Sequence, residues 1–263
     1  MMTTDRKTIV VRISIFLALL LLAGFVTIQW SKRIPPRDFP DIASSGVLKV
    51  ATEYNSVGYY VSGDSIAGTQ SDLCRYIESR SGLKVNIALE NNLETCINKL
   101  QDNIYDVIAI NIPITNEIRK EVAFTVPITQ NKQVLVQRKP GKNDSLPLIR
   151  NQMHLARRTI LVPKHSPGIL RLQNLSEEIA EPIYIREVED YTQEQLLYMV
   201  AYGKADYALL DKAIAMKNSK LFPEIDVQTD ISFPQLQAWA VRKNSPVLLD
   251  SLNKWITDCR RLK

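Results

Sequence analysis

The amino-acid sequence predicts an α/β protein of two similar lobes, preceded by an apolar N-terminal segment. Three observations support this prediction. Short apolar runs alternate with amphipathic runs of helical period from residue 47 to residue 260, as in a parallel sheet flanked by helices. The order of these runs in the first half recurs in the second half. Ahead of both, residues 13–30 are 18 consecutive residues without a formal charge.

The N-terminal apolar run is long enough to cross a membrane. Eighteen helical residues span about 27 Å, close to the thickness of a bilayer's hydrocarbon core. A cleaved signal peptide has a shorter apolar core and a small-residue cleavage site, and no A-x-A triplet follows this run. Residues 1–33 are therefore predicted to form a retained signal anchor, or transmembrane helix. A cleaved signal and a core helix of the body are the alternatives.

Residues 34–43 are predicted to be a linker, because they contain prolines and show no hydrophobic period. The first half of the body then predicts strands at 47–52, 83–89 and 106–112. Helices are predicted at 71–81 and after Asn92, whose side chain can cap the second one. A run of three strands joined by two helices indicates parallel strands with right-handed crossovers.

The second half of the body has the same order of elements. It predicts strands at 159–163, 182–188 and 205–210, with helices at 167–175 and 192–202. Thr192 and Gln195 have the spacing of a capping box at the start of the second helix. A strand at 235–242 and an amphipathic helix at 246–260 end the chain.

Charge gives no argument for nucleic-acid binding. The chain has 33 basic and 28 acidic residues, a net charge of +5. Residues 1–33 hold five of the basic residues and one of the acidic ones, so residues 34–263 hold 28 basic and 27 acidic residues. No nucleic-acid partner is predicted.

The cysteine and histidine content offers little for a metal site. Cys74 and Cys96 fall on apolar faces of predicted helices, so buried thiols are favoured over a disulfide between them. With only His154 and His165 as imidazole ligands, neither a metal nor a cofactor is predicted. Dinucleotide, phosphate-loop and nucleophile-elbow motifs are also missing from the sequence.

Four segments in order resemble the family-3 extracellular solute-binding proteins: GVLKVAT at 46–52, DVIAINIPITNEIRKEVAFTVPI at 106–128, YGKADYALLD at 202–211 and QAWAVRKNSPVLLDSLNKW at 237–255. Within that family the body is most similar to the non-catalytic binding domain of membrane-bound lytic murein transglycosylase F. The resemblance implies a two-lobe periplasmic-binding-protein-like (type II) fold with a two-strand hinge. Lobe 1 would comprise residues 44–134 plus 240–263, and lobe 2, including the hinge strands, would comprise residues 135–239.

The resemblance also implies a site for a ligand's charged ends. An Arg after a T-x-E turn grips a ligand carboxylate in this family, and the matching residues here are Thr115 and Arg119. Arg119 stands one position late, a rotation of about 100° on a helix. Pro113 replaces a hydroxyl-bearing residue. A solvated Arg119 is therefore the alternative, which puts ordinary α-amino-acid binding in doubt.

Asp211 matches the family carboxylate that pairs with a ligand ammonium, with a helix N-cap as the alternative role. The resemblance suggests that aromatic residues after the first strand pack on the ligand, whereas the turn at 163–168 is a candidate because N–H groups at a helix start can receive an anion. The remaining predicted ligand-binding residues follow strands or begin helices. They are Tyr54, Tyr59, Tyr60, Asn111, His165, Ser166 and Thr192, with loop packing or helix capping as the structural alternatives.

These features predict a binding protein in the inner (cytoplasmic) membrane with its body in the periplasm. Three basic residues before the apolar run favour this orientation. The ligand would be a small polar molecule, an amino-acid derivative or a peptidoglycan fragment. A permease or a cell-wall enzyme in trans would be the partner. No catalytic function is predicted, since the chain ends after the body's last helix.

Two other functions stay open from the sequence. The first is an interaction module of the envelope whose pocket has decayed, suggested by the departures at residues 113 and 118. The second is a dehydratase-like enzyme that would use His165, Glu53 and Asp211 as acid and base groups.

Overall fold

The computed structural model describes residues 37–141, 147–164, 166–189 and 191–262. The predicted anchor at 1–33 lies outside these residues. No helix in the described ranges is both long enough and apolar enough to cross a membrane.

The described residues form helices and strands in alternation. The helices are α1 Phe39–Ser45, α2 Thr69–Ser81, α3 Leu93–Gln101, α4 Asn116–Arg119, α5 Gly168–Glu178, α6 Gln193–Ala201, α7 Lys212–Ser219 and α8 Pro246–Arg261, with a 3-10 turn at Gln152–Leu155. The strands are β1 Val47–Thr52, β2 Tyr60–Ser62, β3 Ser65–Ala67, β4 Lys84–Leu89, β5 Val107–Pro113, β6 Ala123–Phe124, β7 Thr129–Asn131, β8 Gln133–Arg138, β9 Thr159–Pro163, β10 Tyr184–Val188, β11 Tyr207–Asp211, β12 Ile225–Asp230 and β13 Gln235–Val241.

The two main sheets share one plan. In the first sheet the order is β4-β1-β5-β13-β6, with β7 also paired to β13, and β1 is parallel to both of its neighbours. In the second sheet the order is β10-β9-β11-β8-β12, and β9 is likewise parallel to both neighbours. In each sheet an antiparallel strand, β13 or β8, lies beside the third parallel strand. The predicted repetition of elements is therefore present.

Two short segments connect the halves. The chain passes from β7 to β8 at Lys132 and returns between β12 and β13. The segments lie side by side, because Ile231 donates its N–H to the Gln133 carbonyl at 2.8 Å and Gln133 donates its N–H to Ser232 Oγ at 2.8 Å. Strand β13 pairs with β5, so 235–239 belongs by hydrogen bonding to the first sheet rather than to the predicted lobe 2.

Each sheet has helices packed against it. Trp239, Leu48 and Leu252 lie in one of the buried clusters of the first sheet, and Leu135, Ile160 and Leu172 lie in one of those of the second. Cys74 and Cys96 are buried free thiols, as predicted. Burial raises the pKa of each to about 12, so both stay protonated and unreactive at neutral pH.

The predicted linker at 34–43 is wrong from residue 39 onward, where helix α1 begins. Asp38 caps this helix with a capping box, and Pro40 fits the first turn, where its missing N–H costs no hydrogen bond. The Asp38 carboxylate also accepts the N–H groups of Val247 and Leu248 at 3.2 and 2.8 Å. One side chain therefore caps both the first described helix and the last.

A buried ion pair fixes the same corner of the molecule. Arg242 is 1% exposed and contacts the fully buried Asp106 at 3.1 Å. Its guanidinium also donates to the carbonyls of Leu100, Tyr105 and Arg37. Because these acceptors replace the water that a buried guanidinium loses, the charge is compensated inside the protein.

Candidate functional site

A cavity lies between the two sheets at the carboxyl ends of their strands. Its walls include residues at or just after the ends of β1, β5, β9 and β11, together with the first turn of α6. Open α/β sheets bind ligands at this edge, because strand ends and helix starts converge there. The volume is about 110 Å³. That is smaller than the roughly 300–1,000 Å³ of pockets for drug-sized ligands, so the cavity suits a small molecule.

The structure brings half of the predicted site residues to this cavity. Tyr54, Asn111, Ser166, Thr192 and Asp211 line it. Tyr59, Tyr60, Thr115 and Arg119 are not among the described lining residues. His165 lies outside the described residues.

Arg119 lies on a different surface. Its guanidinium carbon stands 5.7 Å from the centre of the Phe124 ring, and the side chain is exposed. Thr115 caps the short helix α4 by accepting the Ile118 N–H at 3.3 Å. Ile118, at the position where the family pattern expects the arginine, packs against a core cluster of the first sheet. The ligand carboxylate clamp that the resemblance implied is therefore not assembled at this cavity.

Glu53 is a cavity residue that directly follows β1. Asn55 donates its side-chain N–H to the Glu53 carboxylate at 2.6 Å and holds the following loop by accepting from Val57 and Gly58. Burial raises the pKa of Glu53 to about 8, and the negative charges of Asp211 and Glu194 add to the rise. Glu53 is therefore largely protonated near neutral pH.

Asp211 ends β11 and faces the first sheet. Asp211 occupies the N-cap position of α7, but its carboxylate accepts no capping hydrogen bond from that helix. It accepts instead from Gln237 Nε2 of β13 at 3.4 Å. Burial raises the pKa of Asp211 to about 6, while hydrogen bonds from Gln237 and Asn131 oppose the rise. The helix-capping alternative is thus not what its side chain does.

Glu194 joins the cavity wall to a contact across the cleft. It lies in the first turn of α6, where the helix dipole favours a negative charge. Ser56, on the loop after β1, donates its N–H to Glu194 Oε1 at 2.8 Å. From α7, Lys217 donates to the Ser56 carbonyl and Asn218 donates to Ser56 Oγ at 2.8 Å. We call this set the Ser56 clasp.

The other predicted cavity residues have local partners as well. Asn111 Oδ1 accepts from Gln70 Nε2 at 2.7 Å, and Gln70 Oε1 accepts from Trp239 Nε1 at 2.6 Å. Ser166 Oγ accepts the Gly168 N–H at the start of α5. Thr192 and Gln195 form the predicted capping box of α6. Capping accounts for part of the role of Ser166 and Thr192, and both remain at the cavity wall.

Two of the predicted aromatic residues, Tyr59 and Tyr60, have contacts outside the described cavity lining. Lys217 Nζ stands 3.8 Å from the centre of the Tyr60 ring, a cation–π contact beside the clasp. Tyr59 makes main-chain hydrogen bonds with Asn55. Tyr54, by contrast, is 44% exposed at the rim of the cavity.

Sequence reasoning missed three buried or partly buried polar side chains as ligand groups. Glu53 was considered only as an acid or base, and Glu194 and Gln133 were not considered. Gln133 is 6% exposed, lines the cavity and has no hydrogen-bond donor for its Oε1 atom. A carboxylate placed directly after a parallel strand was the one available signal, and Glu53 carries it. Within the ranges that the structure describes, no group of three or more His, Cys, Asp or Glu side chains has the arrangement of a metal site.

Comparisons with known proteins agree with this architecture. The family model for bacterial extracellular solute-binding proteins, family 3, matches residues 48–261. Membrane-bound lytic murein transglycosylase F of Actinobacillus succinogenes is 28% identical over 256 residues, which is 94% of this chain and 52% of that protein. The enzyme of the same name from Saccharophagus degradans is 25% identical over 88% of this chain and 45% of its own length. The chain thus spans about half the length of these relatives.

Solved structures share the fold. The holo arginine-binding protein ArgBP of T. maritima has a TM-score of 0.72 and 25% identity, over 84% of this chain and 94% of that one. An ancestral arginine-binding protein bound to arginine has a TM-score of 0.71 and 23% identity, over 82% and 93%. The matched family model, the two-sheet architecture and these neighbours agree on a two-lobe periplasmic-binding-protein fold. This chain belongs to the bacterial extracellular solute-binding proteins, family 3.

Proposed function

We propose that this protein binds a small polar ligand in the cleft between its two lobes, as an envelope binding protein rather than an enzyme. The observation that carries the proposal is the cavity at the strand ends, lined by Glu53, Asn111, Gln133, Glu194 and Asp211. Buried polar groups normally satisfy one another, so a cavity that gathers several of them is suited to a polar guest.

Cleft closure is the proposed output of binding. The two crossing segments between the sheets are short. Asp230, at the end of β12, accepts from Lys132 of one crossing segment at 2.6 Å and from Lys212, the first residue of α7, at 2.8 Å. A few residues between rigid elements can absorb the dihedral change of a hinge. Opening would separate Ser56 from Glu194 and Asn218, and closing would restore the clasp.

The proposed ligand class is an amino-acid derivative or a peptidoglycan fragment. The two solved neighbours support the first, since one is a holo arginine-binding protein and the other is bound to arginine. The transglycosylase names of the relatives support the second. The proposed location is the inner membrane with the body in the periplasm, held by residues 1–33. A permease or a cell-wall enzyme in trans would sense the closure.

Thermal unfolding of the full chain against amino acids, their derivatives and muropeptides tests binding. A ligand at 100 times its Kd stabilises the folded state by about 2.7 kcal/mol. For a body of this size that raises the unfolding midpoint by roughly 5–10 °C. Membrane fractionation of cells carrying the full chain, and of cells carrying a chain without residues 1–33, tests the anchor.

A degenerate interaction module is the second candidate, and the missing carboxylate clamp at residues 118 and 119 favours it. It predicts no midpoint shift with any small ligand, and it predicts that cavity substitutions leave function in the envelope unchanged. A shift with any ligand that Asp211→Asn abolishes would exclude it.

A further inference from the structure

The cavity has an unbalanced charge. Glu53, Glu194 and Asp211 line it from three elements: the end of β1, the first turn of α6 and the end of β11. Lys164 is the one lysine or arginine among the described lining residues, and its ammonium is paired with Glu189. Lys132 and Lys212 lie nearby and are both paired with Asp230. The nearby cations are therefore engaged elsewhere, and three carboxyl groups remain around one small space.

The buried polar atoms without hydrogen-bond partners also favour a ligand that donates N–H groups. In the described chain three buried side-chain atoms have no hydrogen-bond partner, and two of them are the Oε1 atoms of Gln133 and Gln237. Gln133 is 6% exposed and lines the cavity, whereas Gln237 is 2% exposed, donates its Nε2 to Asp211 and is not among the described lining residues. Both unpartnered amide atoms are acceptors, so they lack a donor. A buried acceptor without a donor costs free energy that a ligand's N–H group would recover.

No arginine is among the described residues that line the cavity, so the family's clamp for a ligand carboxylate is not present there. Arg119 is exposed with its guanidinium near the Phe124 ring, and the partly buried Ile118 packs against a core cluster. Pro113, which lines the cavity, has neither hydroxyl nor N–H. A carboxylate placed here would meet three carboxyl groups, of which Glu53 is largely protonated near neutral pH, and no free guanidinium. The same cavity would favour a ligand group that carries a positive charge and several N–H donors.

We propose that the cleft selects small organic cations, primary amines, diamines or guanidines, and that it does not require an α-carboxylate on the ligand. This inference rests on the proposed binding function and narrows it to a ligand class. Glu53, Asp211 and Glu194 receive the cation's N–H groups by charge-assisted hydrogen bonds, and Gln133 Oε1 accepts a further one.

Matched ligand pairs test the inference by isothermal titration calorimetry on the full-length chain. Each pair consists of an amino acid and its decarboxylated counterpart: ornithine with 1,4-diaminobutane, and arginine with agmatine. The expected result is that the amine of each pair binds as tightly as its amino acid or more tightly. Glutamate and glutamine serve as anionic and neutral probes and are expected to bind more weakly than either amine.

The outcomes separate this inference from the proposed function. If an amino acid binds more tightly than its own amine, or if glutamate, glutamine or a muropeptide binds and the amines do not, the cation inference is overturned and cleft binding stands. If no probe of either kind binds, both are overturned.

Substitutions locate the cation. Asp211→Asn and Glu53→Gln keep the shape of the side chain and prevent it from carrying a negative charge beside the bound cation, so each is expected to weaken amine binding by about tenfold or more. Glu181→Gln is the control, because Glu181 pairs with Arg157 on the exposed surface and lies outside the cavity lining. Unchanged amine affinity in both cavity variants, with unfolding midpoints showing that they fold, would overturn the assignment.

Discussion

Replacing Glu53 by Gln should make the protein more stable at alkaline pH and leave it nearly unchanged in acid. Burial and two neighbouring carboxylates raise the pKa of Glu53 to about 8, against 4.5 in an unstructured chain. The folded state therefore holds a proton that the unfolded state releases between these two pH values. Since stability falls with pH wherever the folded state binds more protons, Glu53 destabilises the native protein progressively from about pH 4.5 to about pH 8.

The size of the effect follows from the shift. One pKa unit corresponds to about 1.4 kcal/mol, so the complete penalty has an upper bound of about 5 kcal/mol. Between about pH 5 and pH 8 the difference in unfolding free energy between Glu53→Gln and the parent should grow by about 3–4 kcal/mol at most. Gln keeps an oxygen that accepts from Asn55, so this contact is retained while the charge is removed.

Urea unfolding of both proteins at several pH values measures this difference. Comparing variant with parent cancels the carboxylates of lowered pKa, such as Asp226 and Asp230, which act in the opposite direction. Glu181→Gln, at an exposed ion pair, should show a difference close to zero at every pH. A difference for Glu53→Gln that does not change between pH 5 and pH 8 would refute the raised pKa.

Three further predictions concern the cation and the frame around the cleft. Affinity for 1,4-diaminobutane should rise by up to about tenfold per pH unit from pH 6 to pH 8 and then level off, because binding requires Glu53 to release its proton. A constant affinity over that range, measured by calorimetry, would contradict this prediction. Arg242→Met should lower the free energy of unfolding in urea by about 3–5 kcal/mol, because it leaves the buried Asp106 carboxylate with less compensation. Arg157→Met, at the surface, should lower it by less than about 1 kcal/mol. Equal losses in the two variants would contradict a stabilising role of the buried pair. Gly68→Ala should lower the unfolding midpoint of the protein far more than Gly63→Ala. Both glycines have positive φ, but a Cβ at Gly68 would lie 2.2 Å from the Gly58 carbonyl oxygen, whereas a Cβ at Gly63 would meet nothing within 4 Å. Similar unfolding midpoints for the two variants would show that the loop rearranges at little cost.

Local patterns were enough to predict the parallel strands of both sheets. The strands at 47–52 and 159–163 agree with the structure at both ends, because each is a short, mainly apolar run bounded by residues that end regular structure. The capping box at Thr192 is also confirmed, since capping depends on residues three positions apart. Helix α1 was missed because it is short and has a proline in its first turn, which resembles a linker in composition.

The charges of the site could not be predicted in the same way, because their partners are far away in sequence. Glu194 accepts from a residue 138 positions earlier, and Asp211 accepts from one 26 positions later. Nothing local distinguishes a carboxylate that caps a helix from one that faces a cavity. The one-residue offset of Arg119 was a local signal, and its side chain does lie on another surface.

The double cap at Asp38 determines where the body can be cut. This carboxylate holds the main chain at the start of α8, and the carbonyl of Arg37 accepts from Arg242 at 2.6 Å and from Ser245 at 2.9 Å. A recombinant fragment that starts at residue 44, where lobe 1 was predicted to begin, would lose these bonds and leave the amino end of the last helix unprotected. Any soluble version made for crystallisation or biosensor work should therefore keep Arg37 and everything after it.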